Sequence, residues 1–130
     1  MKMAVEAVLD ASAVLAFINE ESGGEEVARL LSVSMLCSVN ASEIAAKLFE
    51  KRWSDERVRT TLETLGCIHV DADLELAIVA GALRPATRHL GLSLGDRYCL
   101  ALARREALPV YTADRRWMEF ADQVDIRLIR

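Results

Sequence analysis

Five short runs of β-compatible residues recur along this chain with helix-like segments between them, and no other feature narrows the fold as much. The runs are "AVEAVLDAS", "SMLCSV", "CIHV", "LPVYTAD" and "VDIRLIR". Between them, "SAVLAFINEE" predicts a helix capped by Ser12, and "GGEEVARLLSV" a helix whose first-turn acids suit the helix dipole. "NASEIAAKLFEKRW" predicts a helix with Asn40 as N-cap and Glu43 at the capping-box spacing. "SDERVRTTLETLG" predicts one capped by Ser54, with Gly66 at its C-terminal end. "ADLELAIVAGALRPATRHLG" is helical, interrupted or kinked at Pro85. "SLGDRYCLALARREA" is apolar almost all round, which predicts a buried helix, and "RRWMEFAD" is a short helix. Strands alternating with helices predict an α/β fold with a mostly parallel sheet covered on both faces.

Composition removes several function classes. The 130 residues contain no repeat and no Pro/Gly linker, so one domain over 1–130 is expected. Mean hydropathy is +0.17, yet no apolar run approaches the roughly 18 residues of a membrane span. Met1–Asp10 lacks a small-residue cleavage site, and a cytoplasmic, non-membrane protein is expected. Cys37, Cys67 and Cys99 form no CxxC pair and read as reduced core thiols, and His69 and His89 are too few for the usual zinc ligand sets. GxxxxGK[ST] and GxGxxG are absent, which excludes a P-loop ATPase. The only lysines are Lys2, Lys47 and Lys51, which argues against a phospho-accepting receiver domain.

Charge is uneven. Residues 1–83 hold seven Lys/Arg against fourteen Asp/Glu, whereas residues 84–130 hold nine Arg against six acids. Solvated helix faces explain any one of these arginines; as a set they suit a polyanion or an acidic partner.

Four acids stand at strand ends or near helix starts: Asp10 ends the first strand, Glu43 lies one turn into the helix after the second, Asp96 lies in the first turn of the buried helix, and Asp114 follows "LPVYT". Each has an ordinary reading as a cap or turn residue: Glu43 with Asn40, Asp96 with Ser93, Asp114 before "RRWMEF", and Asp10 at a turn. In an open parallel sheet, however, strand C-termini and the following helix N-termini share one edge, where ligands bind. Four carboxylates in one crevice repel each other, and a divalent cation removes the conflict. All-oxygen ligands favour Mg²⁺ or Mn²⁺, and such a site is suited to phosphodiester hydrolysis.

"VLDASAVLA", "NASEIAAKL", "LSLGDRYCLALA" and "YTAD", in this order over nearly the whole chain, resemble a PIN-domain ribonuclease and more narrowly a VapC-type toxin of a toxin–antitoxin system. The resemblance implies a PIN-like three-layer α/β/α fold with a central sheet of four to five strands. It implies Asp10, Glu43, Asp96 and Asp114 as catalytic Mg²⁺/Mn²⁺ ligands, with Ser12, Asn40 and Thr112 as supporting or substrate-positioning residues. It further implies RNA cleavage leaving a 5′-phosphate and a 3′-hydroxyl, on transfer or ribosomal RNA, by a homodimer silenced by a cognate antitoxin. Phe49 and Trp53, at i, i+4 spacing, could line an antitoxin groove, although core packing is the preferred reading. A non-catalytic PIN-like RNA- or protein-binding module is the alternative. A phosphohydrolase with Asp10 as nucleophile is disfavoured, because Ser12 stands where a second aspartate is needed.

Overall fold

The structure is a computed structural model describing residues 4–130, so Met1, Lys2 and Met3 of the expected 1–130 domain lie outside the described residues. The strands are β1 (Ala7–Leu9), β2 (Ser34–Cys37), β3 (Ile68–Val70), β4 (Val110–Thr112) and β5 (Ile126–Leu128). The helices are α1 (Ala11–Ile18), α2 (Gly24–Leu30), α3 (Ser38–Glu50), α4 (Asp55–Thr64), α5 (Leu74–Ala82), α6 (Arg84–Thr87) and α7 (Leu94–Glu106). The sheet runs β3-β2-β1-β4-β5, and every pairing is parallel. The expected mostly parallel sheet of four to five strands is therefore a wholly parallel five-stranded one. Even the last pair has room to be parallel, because residues 113–125 supply about the dozen residues that a parallel crossover needs.

Strand pleating builds the three layers. Ala7 and Leu9 of β1 point to one face, where they pack with Val14, Val27, Ile44 and Val58 from α1 to α4. Val8 points to the other, against Leu76 of α5, Cys99 and Leu102 of α7, and Trp117. The predicted burial of α7 holds: Gly95 and Cys99 to Ala103 are buried, and exposure is confined to its two ends, Leu94 and the charged Arg104 to Glu106. Its capping box also forms, with Ser93 N–H donating to Asp96 Oδ2 (2.9 Å) and Asp96 N–H to Ser93 Oγ (3.1 Å). Ser54 caps α4 by accepting from Arg57 N–H, and the three cysteines are buried and unpaired.

Several local expectations are corrected. The cap of α1 is Asp10, which accepts from Ala13 N–H at 2.8 Å; Ser12 lies inside the first turn. β2 runs directly into α3, so the helix begins at Ser38 and Asn40 lies within its first turn. The Asn40–Glu43 capping box therefore does not form. At Pro85 the expected interruption holds and the kink does not: α5 ends at Ala82 and Pro85 lies in the first turn of α6, which needs no proline N–H. "RRWMEF" is 3-10 helix. α3 stops at Glu50, with Arg52 at φ 65, so Trp53 has left the helix; Phe49 is 45% exposed and is not core. Trp53 is half-buried, with the Arg57 guanidinium 3.6 Å above its ring centroid.

Candidate active site

The strand order reverses between β1 and β4, and the C-terminal edge at such a switch point is where an open parallel sheet forms its crevice. Asp10 follows β1 directly, and Asp114 follows β4 after one residue. Glu43 sits early in α3, after β2. Asp96 lies in the first turn of α7, which packs against α3, β1 and β4.

Asp10 is 4% exposed and enclosed by donors. Ser12 Oγ lies 2.7 Å from Oδ1 and 2.9 Å from Oδ2, and Thr112 Oγ1 donates to Oδ2 at 2.7 Å. Burial nevertheless pushes its pKa up to about 6, against the lowering by these bonds, and the charge of Asp96 adds to the rise. The same hydroxyls reach further along the edge. Ser12 Oγ accepts from Ala113 N–H, and Thr112 Oγ1 from Asp114 N–H, both at 3.0 Å.

Glu43 is held from below. Asn40 Nδ2 donates to Glu43 Oε1 (2.9 Å) and to the Gly95 carbonyl (3.0 Å), tying α3 to α7. A Cβ on Gly95 would collide with the Glu43 carboxylate, so that carboxylate lies flat against the start of α7. Burial raises the Glu43 pKa, Asn40 opposes the rise, and the Asp96 charge adds to it. Asp96 is itself raised by burial, opposed by its bonds to Ser93, and raised further by the charge of Asp114. Asp96 is thus the acid whose charge bears on both Asp10 and Glu43. Cys99, one turn further along α7, is pushed far up by burial first and then by the charges of Asp10, Asp96 and Glu43 among its neighbours.

Asp114 behaves in the opposite way. Its pKa is lowered, chiefly by Arg116, whose Nε donates to Oδ1 (3.0 Å) and Oδ2 (3.1 Å) while a terminal nitrogen reaches Oδ2 at 2.5 Å. A family model described as the PIN domain matches residues 7–123, a span holding all four acids. The chain belongs to the PIN domain family.

Solved structures agree on the fold of this PIN domain. The DNA-bound VapBC of Salmonella typhimurium superposes with a TM-score of 0.75 at 22% identity, over 98% of this chain and 100% of that one. A toxin–antitoxin complex from Klebsiella pneumoniae gives 0.74 at 16% identity, over 96% and 98%. VapC20 of Mycobacterium tuberculosis, a sarcin-ricin loop cleaving toxin, gives 0.70 at 17% identity, over 94% and 99%. No curated protein matches the chain closely in sequence.

In this PIN domain the donor chemistry of the acid edge fits a hard divalent cation: oxygen ligands, three of them with carboxyls raised by burial. The Asn40 Oδ1 beside Glu43 is a buried acceptor without a donor. As the side chains stand, no group of three or more His, Cys, Asp or Glu among the described residues is arranged to hold a metal ion. Asp96 Oδ2 is turned to Ser93 N–H, and both oxygens of Asp114 to Arg116. Two residues escaped the sequence reading. Gly95 carries a signal, because glycine in a helix costs about 1 kcal/mol relative to alanine and calls for a packing reason. Arg116 carries none, since an arginine two residues after an acid is common on any surface.

Proposed function

We propose that this PIN domain, taken as one unit over residues 1–130, is a Mg²⁺- or Mn²⁺-dependent endoribonuclease and the VapC-type toxin of a toxin–antitoxin pair, acting in the cytoplasm. The observation carrying this reading is the gathering of Asp10, Glu43 and Asp96 at one sheet edge, each carboxyl raised by burial and by the charge of an acidic neighbour. Like charges brought together in this way need either protons or a cation.

Asp10, Glu43, Asp96 and Asp114 would hold the ion, which when bound supplies an activated water and stabilises the leaving oxygen. Ser12 and Thr112 orient Asp10, and Asn40 orients Glu43, through the bonds described above. Glu43 is the residue to orient the attacking water or take its proton, because only one of its oxygens is engaged by Asn40. The arginines of residues 84–130 suit an RNA backbone. Transfer or ribosomal RNA is the expected substrate class, and a homodimer the expected assembly.

For the antitoxin, the reading draws on the toxin–antitoxin complexes among the structural relatives. A groove of about 1040 Å³, lined by Phe17, Ile18 and Trp53 together with Glu20, Glu25 and Glu26, suits an apolar segment bearing basic residues. Phe49 does not line it.

The test is cleavage of structured RNA by purified protein. Cleavage is expected only with Mg²⁺ or Mn²⁺, and Asp96→Asn abolishes it. Undiminished cleavage by that variant, or in chelator, would remove the reading. RNA affinity unaffected by chelator, with no product under either metal, would identify the non-catalytic module instead.

A further inference from the structure

The four acids do not stand alike towards a cation: three lack an opposing charge in contact, and the fourth already has one. Both oxygens of Asp114 accept from the Arg116 side chain, and Oδ1 also accepts from the Arg116 backbone N–H at 3.0 Å. The remaining arm of the guanidinium donates to the Leu90 carbonyl at 3.0 Å and approaches that of Gly91 at 3.4 Å. Arg116 therefore ties Asp114 to the segment entering α7, two residues before the Ser93–Asp96 capping box. A forked guanidinium satisfies a carboxylate in a way that an ammonium cannot.

We propose that Arg116 is a built-in competitor for Asp114: it occupies this carboxylate in the metal-free protein and yields it only to a divalent cation, so it sets how tightly the acid edge holds that cation. The inference rests on the reading of the edge as a cation site. The Arg116 side chain is 54% exposed, so a released guanidinium returns to solvent at little cost.

The experiment is titration of the full chain with Mn²⁺, following free Mn²⁺ by electron paramagnetic resonance, which needs no RNA and no turnover. Arg116→Gln is expected to tighten Mn²⁺ binding roughly 3- to 10-fold, the scale of one exposed but bidentate ion pair. Arg116→Lys, which keeps the charge without the fork and guards against a folding defect in the first variant, falls between. Loss of charge alone also tightens cation binding, so Arg115→Gln serves as control, its side chain having no ion pair among the described residues. Equal gains for Arg115→Gln and Arg116→Gln would overturn the proposal. The decisive arm is Asp114→Asn: combined with Arg116→Gln it erases the gain if the two compete, and a gain that survives overturns the proposal. Absence of Mn²⁺ binding in every variant would remove the reading of the acid edge itself, and the competitor with it. Binding without an Arg116 effect removes the competitor alone.

Discussion

Asp10 and Asp114 occupy equivalent places and have opposite characters. Each follows a strand at the switch point, β1 and β4 being neighbours, and each caps the turn that comes next. The Thr112 hydroxyl touches both, donating to the Asp10 carboxylate and accepting from the Asp114 N–H. Yet burial pushes the Asp10 pKa up to about 6, while Asp114 is held below the usual carboxylate range. The cause lies in the residues that follow. Ala11, Ser12 and Ala13 continue Asp10 into a packed helix without a counter-charge, whereas Arg115 and Arg116 continue Asp114 into an exposed turn with one. The same strand-end geometry can therefore present an acid whose charge is disfavoured by burial or one that a neighbouring guanidinium already satisfies.

The largest test of this contrast is a pair of cleavage assays. Asp96→Asn removes the acid whose charge bears on both Asp10 and Glu43 and is expected to lower cleavage by more than about 100-fold, beyond the usual cost of losing a residue that supports a ligand. Asp114→Asn, which removes an acid already shared with Arg116, is expected to cost roughly tenfold. Equal losses would break the distinction between the two kinds of acid. Thr112→Val cuts the link between the corners and is expected to lower cleavage by about 10- to 100-fold. It also costs about 1–2 kcal/mol of stability, measured by urea unfolding, since Asp10 loses a buried donor.

Gly95→Ala separates site geometry from folding. The added methyl displaces the Glu43 carboxylate, which is the free end of a flexible side chain, so cleavage falls about tenfold while the unfolding midpoint moves by only about 3 °C or less. A large loss of stability would mean that Glu43 cannot give way. The smallest effect lies in stability alone. The folded pKa of Asp10 exceeds its ordinary 3.8, so the metal-free fold binds this proton more tightly than the unfolded chain. The stability from this group is complete below about pH 4 and is lost as pH rises through about 6. Asp10→Asn, neutral at every pH, is expected to stabilise the metal-free protein by about 1–3 kcal/mol at pH 8, with the gain disappearing below about pH 4. A gain independent of pH would show that desolvation of the charge is not its source.

The layering was legible because both of its signals are local. Runs of β-compatible residues such as "AVL" and "VYT" announce strands, and the apolar run after Ser93 announces a buried helix. Capping was legible only where a loop residue precedes the helix. Ser54 and Ser93 act as expected, whereas at Asn40 the strand joins the helix without a loop and shifts the register of the first turn. That shift turns Asn40 from a cap into the bridge between Glu43 and Gly95.

The sequence by itself therefore determined the alternating α/β order, the buried character of α7, and four acids at strand ends or near helix starts, because each depends on residues within a turn or two of one another. The strand order β3-β2-β1-β4-β5 was decided only by the tertiary structure, and with it the pairing of residues far apart in the chain. Thr112 reaches Asp10 and Asn40 reaches the Gly95 carbonyl only because packing lays their elements side by side, and the Arg116 side chain joins Asp114 to Leu90 for the same reason. Such contacts leave no periodicity along the chain. Their energy comes from burial and register, which exist once the sheet has formed and not before.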